Sequence, residues 1–439
     1  MKSSNVWPFL YNVIAVPMME AALYVSRFLG GKAAAASRGR RRTITDTKNP
    51  LRPLSGRKPR LWFHAASAGE FLQITPLIER MRNRYKDGAI FITFFSPSAE
   101  KLTSEYPHKD VALYLPTDSR TNIRKLLTAF KPDIILFSKY DVWPNLAWES
   151  AKAGVKLGIV GATIHERSGR LRCGISSLYR RVHGVLDFVG TSTEDDAALY
   201  MKLNVDPGHI AVTGDMRYDQ TFQRAMSVSP DDPTLVPLRS EAKVFVAGST
   251  WPEDDRILIP AFVTTRKKHG KLKLIIVPHE IDKDKLEETE SLARGHELTT
   301  VRYSSLQTGK VQFSDFDVAV VDEVGFLAKV YSLGTVAYVG GGFGAGVHNV
   351  MEPACFGLPV FMGPGWFGSR EASQMLKRAG AFAVKKPDGL ANLLTDLLDR
   401  EEWRCEAGEK ALEVVKENLG ATDNTIEELN KRFPSIFES

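Results

Sequence analysis

VAYVGGGFGAGVHNVMEPACFGLPVFMGP, residues 336–364, joins an apolar strand to a glycine triplet, a short helix and a second strand. Val336–Val339 runs into Gly340, Gly341 and Gly342; His348-Asn349 follows, and Glu352-Pro353 then leads a helix that ends at Gly357 before Leu358–Met362. Strand, turn, helix and strand in that order make one unit of a parallel α/β sheet. Glycines let backbone amides approach a phosphate closely, and a helix N-terminus adds partial positive charge. Glu352 stands where a carboxylate can accept hydrogen bonds from ribose hydroxyls. A glycine triplet alone also suits a tight turn; its combination with HNxxEP and GLPV points to a nucleotide.

The same alternation extends in both directions. KVFVAGS, KLIIVPHE, DVAVVDE and LPVFMGP, with helical patterns between them, complete a second-half series. In the first half LWFHAA, AIFITFF, DIILF, KLGIVGA and FVGTS alternate with helices expected at 76–85, 98–105, 145–153, 175–184 and 194–202. Strands separated by helices predict parallel sheets covered on both faces. Pro-rich 229–237 (SPDDPTLVP) reads as a linker, and 401–432 as one amphipathic helix. The expected segments are 1–42 (membrane-associating helix and basic segment), 43–228 (acceptor-binding domain), 238–415 (nucleotide-sugar-binding domain) and 416–439 (C-terminal helix). Doubly wound sheets bind ligands outside the C-terminal strand ends, so two such domains facing a cleft can hold donor and acceptor together.

The 439 residues carry a net charge of +6, unevenly spread. Residues 1–60 hold 12 Lys/Arg against Glu20 and Asp46, a local +10 that leaves the remainder at −4. A mildly acidic globular part carries no nucleic-acid footprint. Cys173, Cys355 and Cys405 lack CxxC or Cys/His spacing, so neither a disulfide framework nor a zinc site is expected and the chain reads as reduced. Trp7–Phe28 is mostly apolar and runs into the basic stretch Lys32–Arg42. Pro8, Pro17 and Glu20 argue against a comfortable span, whereas Trp7, Phe9, Tyr11, Tyr24 and Phe28 beside basic residues suit a helix lying in the interface of an anionic membrane. A true span and a helix packed on the protein itself stay open.

The spacing of GGG, HN, EP and GxPV resembles the nucleotide-sugar site of GT-B glycosyltransferases, and GxHNxxEP resembles the 3-deoxy-D-manno-octulosonic acid (Kdo) transferases. HAASAGE (64–70), WPN (143–145), ERS (166–168), TGDMRYD (213–219), GST (248–250) and VPH (277–279) match that family's motifs in the same order. The resemblance implies a GT-B α/β fold of two Rossmann-like domains with an N-terminal membrane-associating helix. It further implies inverting, metal-independent transfer of Kdo from CMP-Kdo to a lipid A precursor at the cytoplasmic face of the inner membrane, without a cofactor. CMP would be held by Pro278 and His279, by the turn Val324-Gly325-Phe326, and by Asn349, Val350, Met351 and Glu352. Glu70 would be the general base, Asp141 its electrostatic partner, and Arg217 the cation for the donor carboxylate or departing phosphate.

The chain departs from the family pattern in places. Lys139-Tyr140-Asp141 keeps one carboxylate where many members have two, Arg217 stands for the usual Lys, and His279 stands for the usual Arg, which leaves the charge at the CMP phosphate dependent on pH. Asp315-Phe316-Asp317 has the DxD spacing of metal-binding transferases, but it immediately precedes the apolar run Val318–Val321, where acids cap a strand in solvent. No metal site is assigned. Two other readings compete: a GT-B transferase using a UDP-sugar, and a non-enzymatic membrane scaffold.

Glu70 has a local reading of its own. The strand LWFHA must end by Ser67 and Gly69 permits a sharp turn, which puts Glu70 on a strand-to-helix connection near a positive helix dipole. Thr75-Pro76 reads either as the N-cap and first residue of the following helix or as a kink inside one that starts at Glu70.

Overall fold

The computed structural model describes residues 6–28, 30–45, 51, 54 and 56–438. Lys2, Lys48 and Arg52 of the basic N-terminal set lie outside them. The chain forms two compact units, residues 1–220 with 419–439, and residues 221–418.

The first unit holds seven parallel strands: β1 (Arg60–Ala65), β2 (Ala89–Phe94), β3 (Val111–Tyr114), β4 (Ile134–Ser138), β5 (Lys156–Ala162), β6 (Phe188–Thr191) and β7 (Ile210–Val212). Their order is β3-β2-β1-β4-β5-β6-β7, so the winding reverses between β1 and β4. Both faces are covered. Leu61, Phe63, Ile92 and Leu136 pack on one side with the helix Ala68–Arg84, while Trp62, Phe91, Ile135 and Phe137 pack on the other with the helices Arg120–Phe130 and Pro144–Lys152. This double coverage is why the strands read as unbroken apolar runs. Two short edge elements, β3 and β7, escaped the sequence reading because they carry only four and three residues.

The helix after β1 settles the Thr75-Pro76 question. Ser67 is its N-cap, Ala68–Arg84 is continuous, and Pro76 lies inside it. Proline there frees the carbonyl four residues back, and the Thr75 hydroxyl donates to that Leu72 oxygen at 2.8 Å.

The second unit contains β8 (Val244–Thr250), β9 (Lys273–Pro278), β10 (Thr300–Arg302), β11 (Val318–Val320), β12 (Val336–Val339), β13 (Val360–Met362) and β14 (Ala381–Ala383), all parallel and ordered β10-β11-β9-β8-β12-β13-β14. Here the winding reverses between β8 and β12. The GT-B class of two parallel α/β domains is therefore the observed one.

The expected single helix 401–432 is two helices, Glu401–Glu417 and Ala421–Arg432. Gly420 adopts φ 99°, a left-handed conformation that ends one axis and starts another. The second helix caps on Asp219, whose carboxylate accepts the N–H groups of Gly420 (2.8 Å) and Thr422 (2.7 Å), and it buries Ile426 and Leu429 against the first sheet.

At the N-terminus, Val6–Ser26 is helical with a wider turn at Tyr11–Ala15, and it is long and apolar enough to cross a membrane. One flank docks on the first unit. Tyr11 donates to Asp118 at 2.9 Å, and the amides of Asn12 and Asn145 bond reciprocally at 3.0 and 2.9 Å. The basic stretch is also helical, Gly31–Thr45, and is anchored as well: the buried Arg40 lies 4.1 Å over the Phe95 ring, while Arg38, Arg41 and Arg42 face solvent.

Candidate active site

In the first unit the reversal between β1 and β4 marks the place where a doubly wound sheet opens a crevice at its strand ends. Glu70 comes from the β1 exit and Asp141 from the β4 exit. Glu70 is buried in the first turn of its helix, where its Oε2 accepts the Ala66 N–H at 2.7 Å and its backbone carbonyl accepts the Ser138 hydroxyl at 2.9 Å. On the other exit Lys139 takes φ 64°, turning the chain sharply. Asp141 then accepts the Trp143 indole N–H at 3.0 Å.

His64 acts on both carboxylates; it is wholly buried on the Trp62 face of β1 and paired in register with Thr93. Trp62 Nε1 donates to Thr93 Oγ1 at 2.8 Å, and His64 Nδ1 lies 2.9 Å from the same oxygen. Nε2 has no hydrogen-bond partner and lies 3.8 Å from Asp141 Oδ2, an ion-pair distance too long for a hydrogen bond.

These surroundings separate the two acids. Burial raises the Glu70 pKa, with a smaller push from Asp141, and outweighs the lowering by the Ala66 N–H, His64 and Lys139. Burial also acts to raise Asp141, but His64, the Trp143 N–H and Arg170 outweigh it and hold that carboxyl below its usual range. One acid is thereby made proton-hungry beside a neighbour that stays ionised, the pattern that divides acid–base roles between carboxylates.

Arg217 enters after β7, in the first turn of the helix Met216–Met226. Its Nε and Nη2 donate to Asp215 Oδ2 at 2.9 and 2.6 Å, and its backbone N–H donates to Asp215 Oδ1 at 3.0 Å. Asp215 thus fixes the guanidinium and offsets part of its charge.

In the second unit the glycine triplet lies at the reversal between β8 and β12. A Cβ on Gly340 would stand 2.2 Å from the Ser249 carbonyl oxygen, so this glycine is required by the close approach of two strand exits. The amides of Gly340 and Gly341 are already engaged, donating to Gly248 O at 2.9 Å and to Asp254 Oδ2 at 2.8 Å. These two N–H groups stiffen the turn. The helix behind it, Met351–Ala354, is a single turn.

Beside the turn three rings stack. Trp251 and His279 centroids are 4.8 Å apart, and His279 and His348 4.3 Å. Trp251 Nε1 donates to His348 Nε2 at 3.0 Å, which puts the His348 hydrogen on Nδ1; burial and then the neighbouring His279 lower its pKa. Pro278 ends β9 and His279 follows it, with the His279 N–H bonded to Thr250 O at 2.9 Å. Asn349 Oδ1 accepts the Met351 N–H at 3.1 Å, and its Nδ2 donates to Glu352 Oε1 at 3.4 Å. Burial raises Glu352, against the lowering by Arg224 and Asn349. Arg224 also donates to the Gly325 carbonyl at 3.2 Å, tying the Val324–Phe326 turn to Glu352. Val324 is 82% exposed, Phe326 is packed on Tyr303, and Val350 and Met351 are buried, so those last two can offer a ligand backbone but little side chain.

His64, Thr93, Trp251 and Arg224 were not singled out from sequence. A histidine inside a fully buried strand was the available signal for the first. Asp317 of the DxD stretch is engaged by Arg266 and Thr299, whose N–H and hydroxyl each lie 2.9 Å from Oδ2. Among the described residues no group of three or more His, Cys, Asp and Glu is arranged for a metal ion.

Known proteins carry the same organisation. A family model described as 3-deoxy-D-manno-octulosonic-acid transferase (kdotransferase) matches residues 37–220. The 3-deoxy-D-manno-octulosonic acid transferase of Chlamydophila psittaci is 26% identical over 396 residues, covering 89% of this chain and 88% of the relative. That of Aquifex aeolicus is 26% identical over 369 residues, covering 83% and 93%. Among solved structures, a putative UDP-N-acetylglucosamine 2-epimerase from Listeria monocytogenes superposes with a TM-score of 0.61 at 13% identity over 86% of this chain and 97% of its own, a likeness of fold alone. With the motifs in order from Glu70 to Glu352 and relatives aligned over more than four-fifths of its length, the chain is similar to the Kdo transferases.

Proposed function

We propose that the protein transfers Kdo from CMP-Kdo to a lipid A precursor, inverting the anomeric configuration, with Glu70 as general base. The observation that carries this reading is the buried, proton-hungry Glu70 beside the ionised Asp141 at the β1/β4 reversal. Glu70 takes the proton of the acceptor hydroxyl while that oxygen attacks the anomeric carbon. The bond to CMP breaks and its electrons leave with the phosphate. Asp141 keeps negative charge near the developing oxocarbenium character, and Arg217 meets the donor carboxylate or the departing phosphate. His279, Asn349, Glu352 and the Val324–Phe326 turn hold CMP, and no metal or cofactor is invoked.

The exposed apolar side of Val6–Ser26 and the outward Arg38, Arg41 and Arg42 support work at the anionic cytoplasmic face of the inner membrane. Mass spectrometry of the lipid after incubation with CMP-Kdo and a tetraacyl lipid A precursor tests the reading. A product heavier by Kdo is expected, and unaltered lipid overturns it. Thermal protection by CMP and not by UDP is expected as well, since a ligand stabilises the state it binds; the reverse preference would favour a UDP-sugar donor.

A further inference from the structure

The N-terminal helix does not lie flush on the first unit. Beside its docked flank a groove of about 780 Å³ opens toward the helices Pro144–Lys152 and Ser176–His183. Phe9 and Val13 of the N-terminal helix form one apolar wall, and Trp148 and Val185 form the facing one. Arg120, Lys152 and Arg181 line the same space.

The charge there is not balanced. Glu149, with 3% of its side chain exposed, is approached by Arg124 at 2.6 Å, Lys152 at 3.0 Å and Arg120 at 3.8 Å, so three cations share one carboxylate. An apolar cleft edged by surplus cations matches a ligand that is anionic at one end and hydrocarbon at the other. Away from the groove the same helix exposes Ile14, Met18 and Val25 at 52%, 67% and 55%, which sets the opening at a boundary between water and an apolar phase.

We propose that this groove holds one anionic glycerophospholipid, its phosphate against Arg120, Lys152 and Arg181 and an acyl chain between Phe9/Val13 and Trp148/Val185. The lipid completes the seat of the N-terminal helix, so anionic-membrane recognition extends beyond the basic stretch Lys32–Arg42 into the folded unit. A free phosphate has no use for the apolar walls, and a zwitterionic lipid leaves the surplus cations uncompensated.

Native mass spectrometry of the delipidated full chain, given phosphatidylglycerol, phosphatidylcholine or inorganic phosphate, reads this without turnover, so it stands or falls separately from the transferase reading. Retention of one phosphatidylglycerol is expected, at least about tenfold tighter than phosphatidylcholine. Ala151→Trp and Val185→Trp fill the groove from two different elements and should each weaken that retention about tenfold or more; circular dichroism establishes that they are folded. Arg181→Gln should narrow the preference for the anionic lipid. Equal retention of both lipids, saturation by inorganic phosphate alone, or unchanged binding in folded tryptophan variants overturns the proposal.

Discussion

His64 Nε2 points at Asp141 Oδ2 across 3.8 Å, from a ring with no solvent exposure. Thr93 holds the other ring nitrogen, and the charged groups around the imidazole and its partner are Glu70, Asp141, Lys139 and Arg170. His64 lowers the pKa of both carboxylates, opposing the burial that raises Glu70. His64→Asn removes that influence, so the acid limb of the kcat–pH profile, which reports the base in the bound complex, should move to higher pH. A lowered rate with an unshifted limb would leave His64 a purely structural role.

Glu70→Gln keeps the shape and the bond from Ala66 but cannot take a proton. Transfer should fall by about a hundredfold or more, in line with loss of a general base, while CMP still raises the melting temperature. Near-parental transfer would move the base assignment to Asp141.

Arg217 is prepositioned by Asp215 through two side-chain contacts. Arg217→Ala should lower kcat more than it weakens CMP binding, because only interactions strengthened in the transition state raise the rate. Asp215→Asn loosens the guanidinium and should give a smaller loss in the same direction. An unchanged turnover number for Arg217→Ala would remove it from the site.

Asp118 ties the N-terminal helix to the domain, accepting Tyr11 O–H at 2.9 Å and the N–H groups of Asn145 and Leu146 at 2.8 and 2.9 Å. Burial pushes its pKa up to about 7, against the lowering by those three donors. The folded protein therefore keeps a proton that the unfolded chain releases near pH 4, and stability falls as pH rises from about 4 to about 7. Asp118→Asn should flatten part of that slope in urea unfolding; Asp255, also raised to about 7 by burial, supplies another part, and Glu70 and Glu352, raised as well, add to it. An identical slope in the variant would mean Asp118 is ionised in the fold.

Deleting residues 1–42 would strip Arg40 from Phe95 and remove Ala36 from its cluster with Phe94, Ala99 and Tyr114, so truncation confounds membrane binding with stability. Replacing Arg38, Arg41 and Arg42 by Gln leaves the anchor in place. Flotation with anionic vesicles should weaken, each residue near a charged surface contributing about 1 kcal/mol, with the melting temperature little changed. Full flotation by the triple variant would place the membrane contact elsewhere.

The sequence by itself determined the two parallel sheets, because strands buried on both faces must be apolar throughout, and LWFHA, DIILF and VAYV are. It also determined the positions of Glu70, Asp141 and the HNxxEP stretch, since each follows directly from a strand end and the next helix start. What only the tertiary structure decided depends on partners far apart in the chain. His64 meets Asp141 because β1 and β4 are neighbours, their register partners 73 residues apart in sequence (His64 with Phe137). Gly340 is required by the Ser249 carbonyl, and the Gly341 amide is taken by Asp254. The break at Gly420, the cap from Asp219 and the seat of Tyr11 on Asp118 are likewise long-range, and local propensity and periodicity carry no information about contacts of that kind.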